Sequence, residues 1–310
     1  MAADHARGAG GAPPLRLATR RSQLALWQAE HVAALLRAAH PSLAVELVAM
    51  STEGDRRLDV PLSEIGGKGV FATEVQSALL DGRADLAVHS AKDLPAVTGE
   101  GLALAAVPER GDPRDALVGG RLEDLRTGAV VATGSARRRA QLAHLRPDLT
   151  FAELRGNMAT RLAKAADFDA IVVAAVAFER LGLSEHVDQV LDVNRMVPQV
   201  AQAALAVECR ADDAATAALL SAIEHTPSRR CVDVERVFLA ELGGDCTLPA
   251  GAHATWEADG SLRLRGVLAD AVGGRLLREE GRADPDDPVV GDELARSMAR
   301  RLRAGLGDAA

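Results

Sequence analysis

The sequence predicts an α/β protein of two doubly wound domains followed by a small α+β C-terminal domain. Three observations predict it. Short apolar runs alternate with stretches of helical period through the first two thirds of the chain. Two breaks, Glu109-Arg110-Gly111-Asp112-Pro113-Arg114 and Val197-Pro198-Gln199, divide that alternation. Beyond Pro227 the rhythm changes to a helix, strand-like runs and a final amphipathic helix.

Taken in order, residues 15–18 read as the first strand. Ser22 is placed to cap a helix through about Ala39, with Leu24, Trp27, Val32, Leu35 and Leu36 apolar and Pro41 just past its end. Residues 45–50 form the next strand. Phe71, Val75, Ala78 and Leu79 make a helical stripe behind the loop Ile65-Gly66-Gly67-Lys68-Gly69. Residues 85–89 and 102–107 continue the strands, in the βαβ rhythm of an open, mostly parallel sheet. After the first break, residues 129–132, 151–154 and 170–177 read as strands, with helices from about Ala136 and from Asn157. After the second break come a strand over 205–208 and a helix over 214–223. Residues 231–242 are helical. Residues 252–257, 262–269 and 274–280 read as antiparallel strands, with a turn at Asp259-Gly260 and a closing helix over 291–306. The implied division is a disordered tail (1–14), a first domain (15–108 with 204–224), a second (113–198) and a third (227–310).

Composition narrows the class of partner. The formal net charge is −8, with a pI near 5.5. A nucleic-acid binder is ordinarily basic over at least one domain, because phosphate neutralisation drives its affinity. Two Trp, five Phe and no Tyr also give little material for stacking bases. No apolar run approaches the ~20 residues needed to span a bilayer. Residues 1–14 hold Gly, Ala and Pro without an apolar signal core. Neither nucleic acid nor membrane is expected as a partner, and a cytoplasmic location is. Cys209, Cys231 and Cys246 lack metal-ligand spacing and make an odd count, so reduced thiols and no metal are expected.

Arginines placed after strand-like runs are the main chemical signal. Thr133-Gly134-Ser135-Ala136-Arg137-Arg138-Arg139 follows an apolar run, Arg20-Arg21-Ser22 follows the first strand, and Arg155-Gly156-Asn157 precedes Arg161. A strand that ends in Gly, Ser or Thr and opens a helix leaves N–H groups aimed at one spot. Arginine forks there suit a carboxylate or phosphate. Any one such arginine is more often a solvated surface charge, but three such places in an acidic chain point to a small polyanion. Consecutive helical residues turn by ~100°, so two of Arg137, Arg138 and Arg139 can share a crevice and one is left in solvent.

The run Ala87-Val88-His89-Ser90-Ala91-Lys92-Asp93-Leu94-Pro95 ends a strand, where ligands sit in open α/β sheets. Ser90, Lys92 and Asp93 are placed to face that crevice. Asp93 suits handling a proton or stabilising a cation; the plainer reading is a turn aspartate satisfied by nearby N–H groups. His89 reads as a core histidine. The Gly66-Gly67-Lys68-Gly69 loop lacks the spacing of a nucleotide-binding loop and reads as a flexible loop supplying one cation, or as a simple mobile connector. Cys246 lies between Gly243-Gly244 and Pro249-Ala250-Gly251, an exposed loop in which a thiol is a nucleophile or attachment point, or else an incidental free cysteine.

These segments resemble the porphobilinogen deaminase, or hydroxymethylbilane synthase, family. The likeness runs from about Leu15 to the end through LRLATRRSQLALWQA, GGKGVF, ADLAVHSAKDLP, ERGDPRDAL, TGSARRRAQL, LRGNMATRL, PQVAQAALAVECR and GGDCTLPAG. It implies two periplasmic-binding-protein-like domains and a small third domain. It implies a dipyrromethane cofactor joined by a thioether to Cys246, and head-to-tail condensation of four porphobilinogen molecules with loss of ammonia to give hydroxymethylbilane. By motif, Asp93 is the catalytic aspartate with Lys92 beside it. Ser90, Lys92, Asp93, Thr133, Ser135, Arg137, Arg138 and Arg155 match cofactor-holding positions. Arg20, Ser22, Arg161, Arg180 and Gln202 match substrate-holding positions, and Lys68 and Phe71 fall in the active-site loop. A monomer is expected. Each pyrrole carries an acetate and a propionate, which accounts for inward arginines in an acidic protein.

The chain departs from the family pattern in places. Asp245 stands where Gly usually precedes the cysteine, Ala201 and Ala203 stand where Gly is common, and Gly134 stands where Ser is frequent. The competing reading is a cytosolic anion-binding or sensor module of the same two-lobed fold, with no use for Cys246 or Asp93.

Overall fold

The computed structural model describes residues 13–51, 72–244, 248–270, 274–284 and 290–307. Lys68, Phe71, Asp245 and Cys246 lie outside these residues. In chain order the strands of the first part are β1 (Leu15–Arg20), β2 (Val45–Met50), β3 (Leu86–Ser90) and β4 (Leu102–Ala106), with helices α1 (Gln23–Ala39) and α2 (Thr73–Leu80). Next come β5 (Asp115–Val118), β6 (Val130–Ala132), β7 (Thr150–Ala152), β8 (Ala170–Ala174) and β9 (Gln189–Val190), with α3 (Ala136–Leu145), α4 (Met158–Ala163) and α5 (Ala175–Leu181). The chain continues through β10 (Leu205–Arg210), α6 (Ala214–Leu220), α7 (Thr226–Glu241), β11 (Ala250–Trp256), β12 (Leu262–Ala269), β13 (Leu276–Ala283) and α8 (Val290–Leu306).

Two sheets share one plan. Their orders are β2-β1-β3-β10-β4 and β7-β6-β8-β5-β9. In each, three neighbouring strands run parallel, and the fourth opposes both of its neighbours. That is the mostly parallel, doubly wound sheet the sequence predicts, with one reversed strand in each. The reversed strand is the one that arrives from the other sheet: β5 enters after the 107–114 crossing and β10 after the 191–204 crossing. The central strands are buried on both faces, as in β8, where all five residues are buried, so they read as continuous apolar runs.

Three boundaries differ from the sequence reading. The apolar run from Ala170 ends as a strand at Ala174 and turns into α5 at Ala175. An unbroken apolar run carries no period that marks such a change. β5 was not anticipated, because its four residues follow directly on the Gly- and Pro-bearing break. Helix α7 begins at Thr226, ahead of Cys231, and Pro227 occupies its first turn, where a missing N–H costs nothing.

The third sheet, β11-β12-β13, is antiparallel. Its core joins Val232, Val234 and Phe238 of α7 to Leu264 of β12 and to Met298 and Leu302 of α8. A side chain on Gly266 would sit 2.9 Å from the Phe238 ring and 2.8 Å from Met298 Sδ.

Glu235 of α7 ties this part to both crossings. Its carboxylate is fully buried, receives both Arg110 Nη atoms at 2.6 and 3.1 Å, and accepts from Ala201 N at 2.6 Å and Ala254 N at 2.8 Å. Arg110 Nε in turn donates to the Gln202 carbonyl at 2.8 Å. Among the described residues no helix is long and apolar enough to cross a membrane.

Candidate active site

The site forms where strand ends of the first two sheets face each other. Three helix starts are built alike. The Ser22 hydroxyl accepts from Ala25 N at 3.3 Å, that of Ser135 from Arg138 N at 3.4 Å, and Asn157 Oδ1 from Thr160 N at 2.9 Å. Each side chain satisfies one orphan N–H of its helix. Thr133, buried just before α3, accepts from Ser135 N at 3.2 Å.

Beyond β3 the chain makes a short 3₁₀ turn, Ala91–Asp93. Lys92 and Asp93 leave this turn toward different cavities. Asp93 lines one cavity with Arg20, Ser22, Gln28, His89 and Ser90. Ser90 Oγ accepts from Gln28 Nε2 at 2.8 Å. Lys92 lines the second with Ser135, Arg137, Gln199, Arg236 and Leu248. The described lining of that second cavity includes three cationic side chains and no carboxylate. Leu248 stands two residues beyond Cys246 in the chain.

The arginine triplet divides by helix phase. Arg137 and Arg138 are buried at 3% and 6% exposure, while Arg139 is exposed and lies 6.0 Å from the Phe151 ring. The buried pair converges on Asp115, the first residue of β5, which is 0% exposed. Asp115 accepts from Arg137 Nη2 at 2.7 Å, from Arg138 Nε and Nη2 at 3.0 and 2.8 Å, and from Gln202 Nε2 at 2.9 Å. Burial alone would raise its carboxyl, but Arg137, Arg138 and Gln202 outweigh burial and hold it well below the usual carboxylate range. Arg137 Nη1 also donates to the Val197 carbonyl at 2.6 Å.

Gln202 is 0% exposed, so its amide belongs to this network. It donates to the Pro113 carbonyl at 2.7 Å and accepts from Lys92 Nζ at 3.2 Å. Lys92 keeps some solvent contact yet sits deep among protein atoms. Burial, and then Arg138, bring its ammonium down to about 8, with Asp93 and Asp115 acting the other way.

The remaining predicted residues lie around this centre. Arg155 is half-buried before the Asn157 cap. Arg161 donates to the Gly156 carbonyl at 2.9 Å, and burial lowers its guanidinium to about 10. Arg180 is buried, donates to the Ala203 carbonyl at 2.7 Å and lies 5.3 Å above the Trp27 ring, so it joins α5 to α1 across the cleft. His89 is a buried core residue 3.1 Å from Glu208 Oε2. Cys209 and Cys231 are buried, and burial raises both thiols, that of Cys231 to about 12.

Sequence reasoning missed Asp115 and Arg236. Asp115 sits within ERGDPRDAL, but nothing local says that this aspartate meets two arginines from α3. Arg236 is buried on α7, and burial lowers its guanidinium. Its helical position is one that any core-facing residue of α7 takes.

The cation-rich cavity fits a group bearing several carboxylates, and comparison with known proteins agrees. The family described as "Porphobilinogen deaminase, dipyromethane cofactor binding domain" matches residues 15–218, and "Porphobilinogen deaminase, C-terminal domain" matches residues 229–300. The porphobilinogen deaminase of Chromobacterium violaceum is 48% identical over 291 residues, covering 92% of this chain and 93% of its own. That of Nitratidesulfovibrio vulgaris is 48% identical over 302 residues, covering 95% of each. That of Xanthomonas oryzae pv. oryzae is 47% identical over 299 residues, covering 95% of this chain and 96% of its own. With two successive family matches and relatives this similar along nearly the whole chain, the protein belongs to the porphobilinogen deaminase family.

Proposed function

We propose that this protein condenses four porphobilinogen molecules head to tail, releasing ammonia, into the linear tetrapyrrole hydroxymethylbilane. The reaction is primed on a dipyrromethane carried by Cys246 as a thioether. The observation that carries this reading is the cavity lined by Lys92, Arg137 and Arg236 without a described carboxylate, bordered by Leu248 just beyond the cysteine. Asp115 answers only part of this positive charge, and buried cations in excess of their counter-charges are costly unless an anion completes them.

The bound dipyrromethane supplies the nucleophilic pyrrole end to which rings are added. Its carboxylates would be held by Lys92, Ser135, Arg137 and Arg236, with Thr133, Arg138 and Arg155 around them. Arg20 and Ser22 border the neighbouring cavity and suit the acetate and propionate of the incoming porphobilinogen. Asp93 opens onto that same cavity. Its carboxylate stabilises the positive charge left on the substrate when ammonia departs and accepts from a pyrrole N–H. Arg161 and Arg180 support the growing chain. The segments 15–108 with 204–224, 113–198 and 227–310 act as three domains of a monomer in the cytoplasm.

Intact mass after incubation with porphobilinogen tests the reading, because each added ring appears as a discrete step. Wild-type protein should carry a covalent dipyrrole and show further additions. Cys246→Ser should fold, carry no pyrrole and be inactive, since a serine hydroxyl is a far weaker nucleophile than a thiolate. Cys209→Ser and Cys231→Ser should keep the cofactor. Full activity in Cys246→Ser would sink the assignment, and a wild-type chain that only exchanges free ligand would favour the sensor module.

A further inference from the structure

Arg137, which lines the cation-rich cavity, and its neighbour Arg138 do not hold themselves in place. Their forks meet at one carboxylate that has no contact with solvent. Asp115 takes hydrogen bonds from Arg137 and Arg138 through both oxygens, at 2.7 to 3.0 Å, and a further one from Gln202. The partners come from different parts of the chain. Asp115 opens β5 just after the first crossing, Gln202 lies in the return crossing, and the arginines belong to the first turn of α3.

We propose that Asp115 is a positioning residue, aiming Arg137 and Arg138 at the carboxylates of the pyrrole chain and coupling their aim to the two crossings between the first and second sheets. This inference rests on the function proposed above. The charge count supports it. One carboxylate faces two guanidinium groups, so a positive charge is left over for the ligand while the pair stays buried before the ligand arrives. Geometry supports it too. A guanidinium on a long stem is free to turn; Arg138 is held on Asp115 Oδ1 through Nε and Nη2, and Arg137 on Oδ2 and the Val197 carbonyl, which removes that freedom. Gln202 fixes the carboxylate in turn, and its own amide is anchored on the Pro113 carbonyl at 2.7 Å.

The test compares full-length variants prepared without cofactor. Loading is followed by intact mass after porphobilinogen is added, and folding by thermal unfolding. Asp115→Asn should load at least tenfold more slowly than wild type. Asp85→Asn, which loosens the Arg16–Asp85 pair (2.8 Å) at the opposite end of β3, is the control for damage to a structural pair and should load within threefold of wild type. Wild-type loading by Asp115→Asn would overturn the inference. Should Asp115→Asn fail to fold, Asp115→Glu keeps the charge and lengthens the arm. It should fold yet load at least threefold slowly, and wild-type loading by it would equally overturn the positioning role. If wild-type protein itself loads no pyrrole, it is the proposed function that fails.

Discussion

Ala201 and Ala203 both hold left-handed backbone, at φ 58° and 71°, on either side of the buried Gln202. Both stand out in the sequence as departures from the pattern of the family it resembles, and their backbone gives those departures a physical meaning. A left-handed conformation crowds Cβ against the backbone, at a cost of roughly 1–2 kcal/mol for a non-glycine residue. The crossing tolerates it because its backbone is gripped: Ala201 N by Glu235, the Gln202 carbonyl by Arg110 and the Ala203 carbonyl by Arg180.

Ala203→Gly should therefore be close to neutral. Relief of strain is opposed by about 0.4–1 kcal/mol of extra chain entropy in the unfolded state and by about 0.8 kcal/mol for one buried methyl. The thermal midpoint should stay within about 4 °C of wild type, in line with ~1 kcal/mol in a chain of this size. Ala203→Val adds a β-branched side chain to the same backbone and should lower the midpoint by more than that. Equal midpoints for the Gly and Val variants would show that the left-handed backbone at 203 is not required.

Asp93→Asn should keep the covalent cofactor and lose turnover. The amide matches the carboxylate in size but lacks the charge that meets the cation left on the substrate when ammonia departs. Loss of one well-placed electrostatic group costs about 100- to 1000-fold in rate. Steady-state turnover reduced by less than about tenfold would mark Asp93 as a turn residue of the 3₁₀ segment.

Loading of the cofactor-free protein should weaken above about pH 8. The Lys92 ammonium is brought down to about 8, so its charge is present below that pH and lost as pH rises through it. Burial lowers it most, followed by Arg138 and Arg137, while Asp93 and Asp115 raise it. Lys92→Arg keeps its charge far into the alkaline range. Rates of mass gain across pH should thus show an alkaline fall in wild type and none near pH 8 in Lys92→Arg. The same fall in both proteins would assign it to another group.

Arg138→Leu should block cofactor assembly or the first condensation, while Arg139→Leu should be nearly silent. Arg138 is buried against Asp115, whereas Arg139 is exposed beside Phe151. Intact mass after incubation with porphobilinogen should show stalled species for the first variant and wild-type steps for the second. Comparable damage in both would contradict the helix phase seen here.

What the sequence determined by itself is what depends on near neighbours. Ser22 was legible as a cap because a cap bonds a backbone group three residues on, and Ser135 and Asn157 do the same at their helices. The burial of two arginines out of three followed from the turn per residue of a helix alone. Apolar runs marked the strands, since a strand covered on both faces needs little else. Tertiary structure decided the rest. The reversed direction of β5 and β10 arises from the crossings between sheets, and an apolar run reads the same in either direction. Asp115 looked like any aspartate in a polar break until β5 carried it beneath α3. Lys92 and Asp93, adjacent in sequence, face different cavities because different elements close around each. A pairing between residues 22 or 87 positions apart, as Asp115 makes with Arg137 and Gln202, leaves no local pattern, because its energy comes from groups that only the folded chain brings together.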